Sequence, residues 1–125
     1  MKEIIKTDNA PGAIGPYSQA NKIGGTIYVS GQLPLNPKTG NFASASIAGQ
    51  TRQALKNAQA ILSAAGYSLL DVVKVTVLLD DIEDFAGMNA VYAEFFTDNF
   101  PARAAFEVAK LPLRAKVEIE MIAAK

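Results

Sequence analysis

The chain contains neither cysteine nor histidine. Those two absences exclude disulfides, thiol nucleophiles, His-containing catalytic triads and nearly every zinc site. The one side chain that titrates near neutral pH is also missing. Any chemistry must therefore use carboxylate, guanidinium, hydroxyl, amide or backbone groups. An excess of one charge is lacking as well: 12 basic residues balance 12 acidic ones, and the isoelectric point is about 6.2. With no basic surplus to meet a phosphate backbone, nucleic acid is not an expected partner. No apolar run approaches the roughly 18 residues of a membrane span, and the opening MKEIIKTDNAPG carries no apolar leader. The expectation is a soluble, cytoplasmic protein with no membrane partner. The missing cysteines agree with a reducing compartment.

What is present fits one domain over residues 1–125, with half the residues apolar and 19% charged. Lys2–Thr7 is a short first strand. Asp8–Gly15 is loop, punctuated by Pro11, Gly12 and Gly15. Tyr17–Ile23 and Thr26–Ser30 are two runs split by Gly24-Gly25, which predicts a hairpin. Tyr17 sits at a strand mouth, where its plain role is to pack on the core rim. Ser30-Gly31 ends the third run, and a glycine there serves either a bulge or a close approach to the backbone. Leu33–Gly40 is loop. Ser46–Ala65 predicts a helix with Ile47, Ala54, Leu55, Ala58, Ile61, Leu62 and Ala65 on one stripe and Gln50, Arg52, Gln53, Lys56, Asn57 and Gln59 opposite. Ser46 suits its cap, and Gly66 suits the left-handed residue beyond it.

Asp71–Asp80 predicts a long strand, with Val73, Val75, Val77 and Leu79 sharing one face. A second helix over Ile82–Phe96 is capped by Asp81 and carries Phe85, Met88, Tyr92, Phe95 and Phe96 on its stripe. Asn89 lies on that apolar stripe, so its amide needs a partner, most simply a nearby loop. Two alternating strands close the chain, Ala102–Lys110 and Lys116–Ala124. The element order is β-β-β-α-β-α-β-β, an α+β chain in which two helices cover one face of a five- or six-stranded sheet. The other face, expected to hold Val72, Lys74, Thr76 and Leu78 together with Arg103, Ala105 and Glu107, is neither polar nor apolar. That mixture predicts packing against further copies of the chain.

Arg103 is the sharpest chemical candidate. It stands among alanines that leave its guanidinium uncovered, and that planar fork matches a carboxylate. The competing role is a salt bridge to Glu107, Glu118 or Glu120. Glu118 is a candidate base or water-orienting group, against a plain solvated place beside Glu120. In a simple hairpin about Pro112, with both on one face, Arg103 and Glu118 would stand roughly 13 Å apart. A shared pocket therefore needs another strand order or a neighbouring subunit.

Several ordered motifs resemble the Rid family of reactive intermediate deaminases, most closely its RidA subgroup. They are GPYSQA (Gly15–Ala20), SGQLPLNPKTG (Ser30–Gly40), Gln50–Gln53, DFAGMNAVYAEFF (Asp84–Phe96), and FPARAAFEVAKLP followed by VEIEMIA. The resemblance implies a chorismate-mutase-like fold, one mixed sheet with two helices on one face, assembled as a trimeric barrel with active sites between subunits. It implies hydrolysis of 2-imino acids, formed from the enamines 2-aminoacrylate and 2-aminocrotonate, to 2-oxo acids and ammonia, with no cofactor. Carried over residue by residue, Arg103 would clamp the substrate carboxylate and Glu118 would activate water. Tyr17, Ser30, Gly31, Asn89 and the backbone at Ala105 would line the cleft. Ala105 stands where many relatives have cysteine, and the connection Thr97–Phe100 is short. Two other functions belong to wider relatives: a non-catalytic trimer that binds small carboxylates or regulates a partner, and an RNA-cleaving or translation-inhibiting protein. The balanced charge and missing histidine weigh against the last.

Overall fold

Register in this chain is set by which residues can leave water. In the computed structural model, which describes residues 1–125, Val117, Ile119, Met121 and Ala123 of the last strand are all buried, while Glu118 and Glu120 between them are not. Slipping that strand by one residue would expose four apolar side chains and bury two carboxylates. At about 1.5–3 kcal/mol per large aliphatic side chain, no alternative pairing competes.

The six strands are β1 (Glu3–Ile5), β2 (Ala20–Ile23), β3 (Thr26–Gln32), β4 (Val72–Leu79), β5 (Ala102–Glu107) and β6 (Val117–Ala124). They form one sheet in the order β1-β2-β3-β6-β4-β5. Every neighbouring pair is antiparallel except β4 and β5. Those two are parallel because a helix returns the chain between them. Helices α1 (Ile47–Ala64) and α2 (Phe85–Phe95) cover one face. This is the mixed-sheet α+β architecture expected from the chorismate-mutase-like resemblance, with the expected element order. No helix is long and apolar enough to cross a membrane.

α1 starts where the Ser46 side chain accepts a hydrogen bond from the Gly49 amide, and Gly66 follows its end at φ +78°. Its buried face holds Ala54, Leu55, Ala58, Ile61 and Leu62 as expected, but also Gln50, Thr51 and Asn57. Gln50, Ala54, Asn57 and Ile61 are spaced at 4, 3 and 4 residues, so two amides assigned to the polar side belong to the inner stripe. Asp81 caps a single 3-10 turn, Ile82–Asp84, that leads into α2.

Several strand expectations change: β1 is confined to Glu3–Ile5, β2 begins at Ala20 and leaves Tyr17 in the preceding loop, and β5 ends at Glu107. β3 does not end at Ser30-Gly31 but runs to Gln32, with a bulge between Val29 and Gln32 opposite β6. A second irregularity, between Val72 and Lys74, turns Val72 into the core and leaves Val73 about half exposed. The closing strands are not a hairpin: β4 lies between β5 and β6. Parallel pairing of β4 with β5 sets Arg103 beside Val75, Ala105 beside Val77 and Glu107 beside Leu79. Those β4 residues face the helices, so Arg103, Ala105 and Glu107 do too, contrary to the expected open-face placement. Two charges tolerate that side because β5 is the sheet edge and water reaches them. Glu107 uses the position to accept a hydrogen bond from the Ile82 amide (2.9 Å) at the start of the helical segment. The open face carries Lys74, Thr76, Leu78, Phe106, Tyr28 and Ile122, with Phe106 and Tyr28 half exposed.

Candidate active site

β6 places Glu118 on the open face, and the β3 bulge gives it room. Gly31 lies against the carboxylate: a Cβ at that position would overlap Glu118 Oε2. Bulge and close approach, the two roles open to this glycine, are thus one feature. Glu118 lines a cavity of about 610 Å³ together with Tyr17, Ser30, Gly31 and Glu120. Tyr17 is 53% exposed, so its ring stands at the cavity rather than in the core. Ser30 donates its hydroxyl to the Ser18 carbonyl and lies in the cavity lining. Burial raises the Glu118 pKa above the ordinary carboxylate range, and the neighbouring Glu120 raises it further. No lysine or arginine of the same chain lines this cavity to oppose the shift.

Arg103 occupies a different place. It makes no ion pair, and the expected alternative bridge to Glu107, Glu118 or Glu120 does not form; the only salt bridge joins Arg52 and Glu94 on the two helices. Nη1 of Arg103 instead donates to Asn89 Oδ1 at 2.7 Å. Its guanidinium carbon lies 4.6 Å from the Tyr92 ring centre and 5.4 Å from that of Phe85. Phe85, Asn89 and Tyr92 are one stripe of α2, four and three residues apart, and together they form a cradle for a planar cation. Asn89 therefore holds Arg103, not a loop. The phenol of Tyr92 has its pKa raised by burial, an effect opposed by the adjacent Arg103 charge. Phe100, Pro101 and Arg103 help enclose a second cavity of about 350 Å³. Phe85 and Tyr92 were expected only as core residues; the signal for their second role was the amide set between them on the same stripe.

Arg103 aligns across β4 with Met121, three residues from Glu118. Two strand spacings and three residues put the two side chains' Cα atoms about 14 Å apart. Met121 faces the helices and Glu118 does not, so the two candidates also lie on opposite faces. Within one chain, Tyr17, Ser30, Gly31 and Glu118 come together, and Asn89 joins Arg103. Ala105 packs its methyl against the core and reaches neither cavity with a side chain. The carboxylate can take a proton or orient water. The guanidinium can bind a small carboxylate through the donors that Asn89 leaves free.

A family model described as Endoribonuclease L-PSP matches residues 7–125. A RutC family protein of Pyrococcus horikoshii is 58% identical over 125 residues, covering all of this chain and 99% of that one. The 2-iminobutanoate/2-iminopropanoate deaminase of Homo sapiens is 50% identical over 123 residues, 98% of this chain and 90% of its own. The crystal structure of the YjgF gene product from E. coli is similar with a TM-score of 0.95 at 51% identity, covering 98% of each chain. Matched in sequence over nearly its whole length and in fold over almost every residue, the chain belongs to the endoribonuclease L-PSP family, the YjgF/RidA group of Rid proteins.

Proposed function

We propose that the chain is a homotrimeric hydrolase that converts small 2-imino acids to 2-oxo acids and ammonia, with active sites between subunits. The observation that carries this reading is the separation of a desolvated carboxylate from an unpaired, pre-oriented guanidinium. One chain holds both halves of a carboxylate-binding hydrolytic site and cannot join them. The half-apolar open face offers the surface through which a neighbour would bring its Arg103 to Glu118. The names of relatives at about half identity agree with the chemistry.

In the proposed cleft, Arg103 grips the substrate carboxylate with its planar fork while Asn89 and the two rings hold the fork in place. Tyr17 and Ser30 bound the substrate on the Glu118 side, and the backbone at Ala105 lies along the strand that presents Arg103. Glu118 orients a water toward C2 of the protonated imine. As the C–O bond forms, Glu118 takes a water proton and the C=N electrons return to nitrogen, giving a carbinolamine. Glu118 then passes that proton to the amine. The C–N bond breaks as the C=O bond forms, and ammonia leaves carrying the hydroxyl proton as ammonium. Water and the imine are consumed; a 2-oxo acid and ammonium are produced. The imine carbon is already electrophilic, so orientation supplies most of what is needed. A carboxylate whose pKa sits above its usual range is a better base at neutral pH than an ordinary one.

Two results test this reading. Arg103→Ala and Glu118→Gln chains are each expected to keep no more than about one hundredth of wild-type activity on 2-iminobutanoate generated in place and trapped with semicarbazide. Unfolded together in equal amounts and refolded, they are expected to recover about a quarter of wild-type activity, because one site in four pairs an intact arginine with an intact glutamate. No recovery would place the site within one chain; a monomer mass in solution would remove the assembly. The second result concerns Gly31→Ala. Its new methyl group meets the flexible end of Glu118, so the fold is expected to survive while the carboxylate moves, with a loss in kcat/KM on the order of 10²-fold. An unchanged kcat/KM would remove Gly31 from the site.

Binding of small carboxylates without turnover is the second reading, favoured by the Arg103 cradle being complete in one chain. A trimer that binds 2-oxobutanoate but leaves semicarbazide trapping unaltered would establish it. RNA cleavage has no comparable support here: net charge is zero, and no cation lines the Glu118 cavity.

A further inference from the structure

Five polar side chains are buried in this chain, Gln19, Gln32, Gln50, Thr51 and Asn57, and four of them are amides. A buried amide needs hydrogen bonds, and where these go shows what it holds. Gln19 Oε1 accepts from the Thr7 amide at 2.7 Å. Its Nε2 faces the carbonyls of Thr7 (3.0 Å), Pro11 (2.8 Å) and Ala10 (3.3 Å), so two hydrogens serve two strong bonds and one longer, shared contact. The Gln19 backbone carbonyl accepts from the Ser30 amide at 2.9 Å.

Asn57 Nδ2 donates to the carbonyls of Leu33 (3.0 Å) and Leu35 (2.9 Å), and its Oδ1 accepts from Gln53 Nε2. Gln32 Nε2 donates to the Ser30 carbonyl. Gln50 Oε1 accepts from the Lys116 amide at 2.8 Å, two residues before Glu118. Pro11, Ser30, Leu33 and Leu35 all line the Glu118 cavity. Three of the four buried amides, Gln19, Gln32 and Asn57, thus bond to the walls of one cavity, while Gln50 ties Ser44 to Lys116 outside them. None of them converges on the Arg103 cradle.

We infer that Gln19 and Asn57 are positioning residues of the Glu118 site, holding from inside the core the two loops that wall its cavity. The wall segments, Thr7–Tyr17 and Leu33–Leu35, contain prolines and glycines and lie almost wholly outside helix and strand, so they cannot set their own spacing. Directional bonds from a rigid core side chain supply that spacing. Amides also suit the task because they do not titrate. The walls keep their shape while the carboxylate between them, Glu118, gains or loses its proton. The kinetic half of this inference rests on Glu118 being the base proposed above; the structural half does not.

The test uses Gln19→Met and Asn57→Leu, near-isosteric changes that delete the bonds, in the full chain. Thr51→Val serves as control: its buried hydroxyl has no partner and holds no wall. Glu118 titration is followed by ¹³C carboxyl NMR, with the resonance assigned through Glu118→Gln, and kcat and KM are measured on 2-iminobutanoate. Each wall variant is expected to fold, to move the Glu118 midpoint down toward the ordinary carboxylate range as loosened walls admit water, and to lose kcat/KM by roughly 10- to 100-fold. Thr51→Val is expected to change neither. If both wall variants keep the wild-type midpoint and kcat/KM, the amides are core residues only and the inference fails. Should one variant fail to fold, the other decides. A wild-type chain inactive on imines, with midpoints that still move in the variants, overturns the proposed function and leaves the positioning role standing.

Discussion

Replacing Glu118 by glutamine is expected to lower kcat/KM on 2-iminobutanoate by about 10²–10⁴-fold, the span that a positioned general base contributes. The same change is expected to leave the protein as stable as wild type at pH 7 or more so. The sign follows from the direction of the pKa shift. Burial, then Glu120, raises the folded-state pKa of Glu118 above its usual value of 4.5. The folded chain therefore holds this proton more tightly than the unfolded chain does. The stabilisation is present below the ordinary glutamate range and is lost as pH rises through the raised pKa. Glutamine keeps the neutral form at every pH. Urea melts of the two proteins should coincide near pH 4 and separate in favour of Glu118→Gln toward pH 8. A variant that is both inactive and less stable at pH 7 would indicate that Glu118 is a structural residue. In the wild type, kcat/KM should fall on the acid side as Glu118 takes up its proton.

Arg103→Ala is expected to lose about 10²–10⁴-fold in kcat/KM, since two hydrogen bonds to a charged group contribute roughly 1.5–3 kcal/mol each. Because the carboxylate is gripped before and during reaction, much of the loss should appear in KM. Arg103→Lys should recover little: an ammonium has no fork to share between Asn89 and substrate, and it lies less favourably over Tyr92. Stability should change modestly, as the side chain is exposed and its ring contacts are each of the order of 0.5–1 kcal/mol. A second readout ties the two halves of the proposed site together. An arginine brought to Glu118 by a neighbour would oppose the rise in its pKa. Arg103→Ala should then move the acid limb of the pH–rate profile to higher pH. An unmoved limb in a variant with measurable activity would separate the two charges in space.

Some of this was legible in the residues. The stripe of α1, the alternation of β6 and the turn at Gly24-Gly25 are local patterns, because helix and strand periods act over a few neighbouring residues. Asn89 drew notice for the same reason: an amide on an apolar stripe must bond to something. Its partner was not legible, since Arg103 is 14 residues away and reaches it only once α2 lies across β5. Gln50 and Asn57 were misassigned to the solvent side because polarity was weighed above their spacing. Their partners, Lys116 and the Leu33–Leu35 backbone, are 66 and more than 20 residues distant.

The face on which Arg103 lies could not be read from alternation alone. A period of two says which residues share a face, not which face a strand turns to the helices. That choice was made by the pairing of β5 with β4, whose Val75 and Val77 were already committed to the core. By itself the sequence determined the elements, the fold class and the narrow set of groups available for chemistry, since each depends on composition or local period. Only the tertiary structure decided that Glu118 and Arg103 stand on opposite faces of the sheet, because strand order is a long-range consequence of burying apolar residues together.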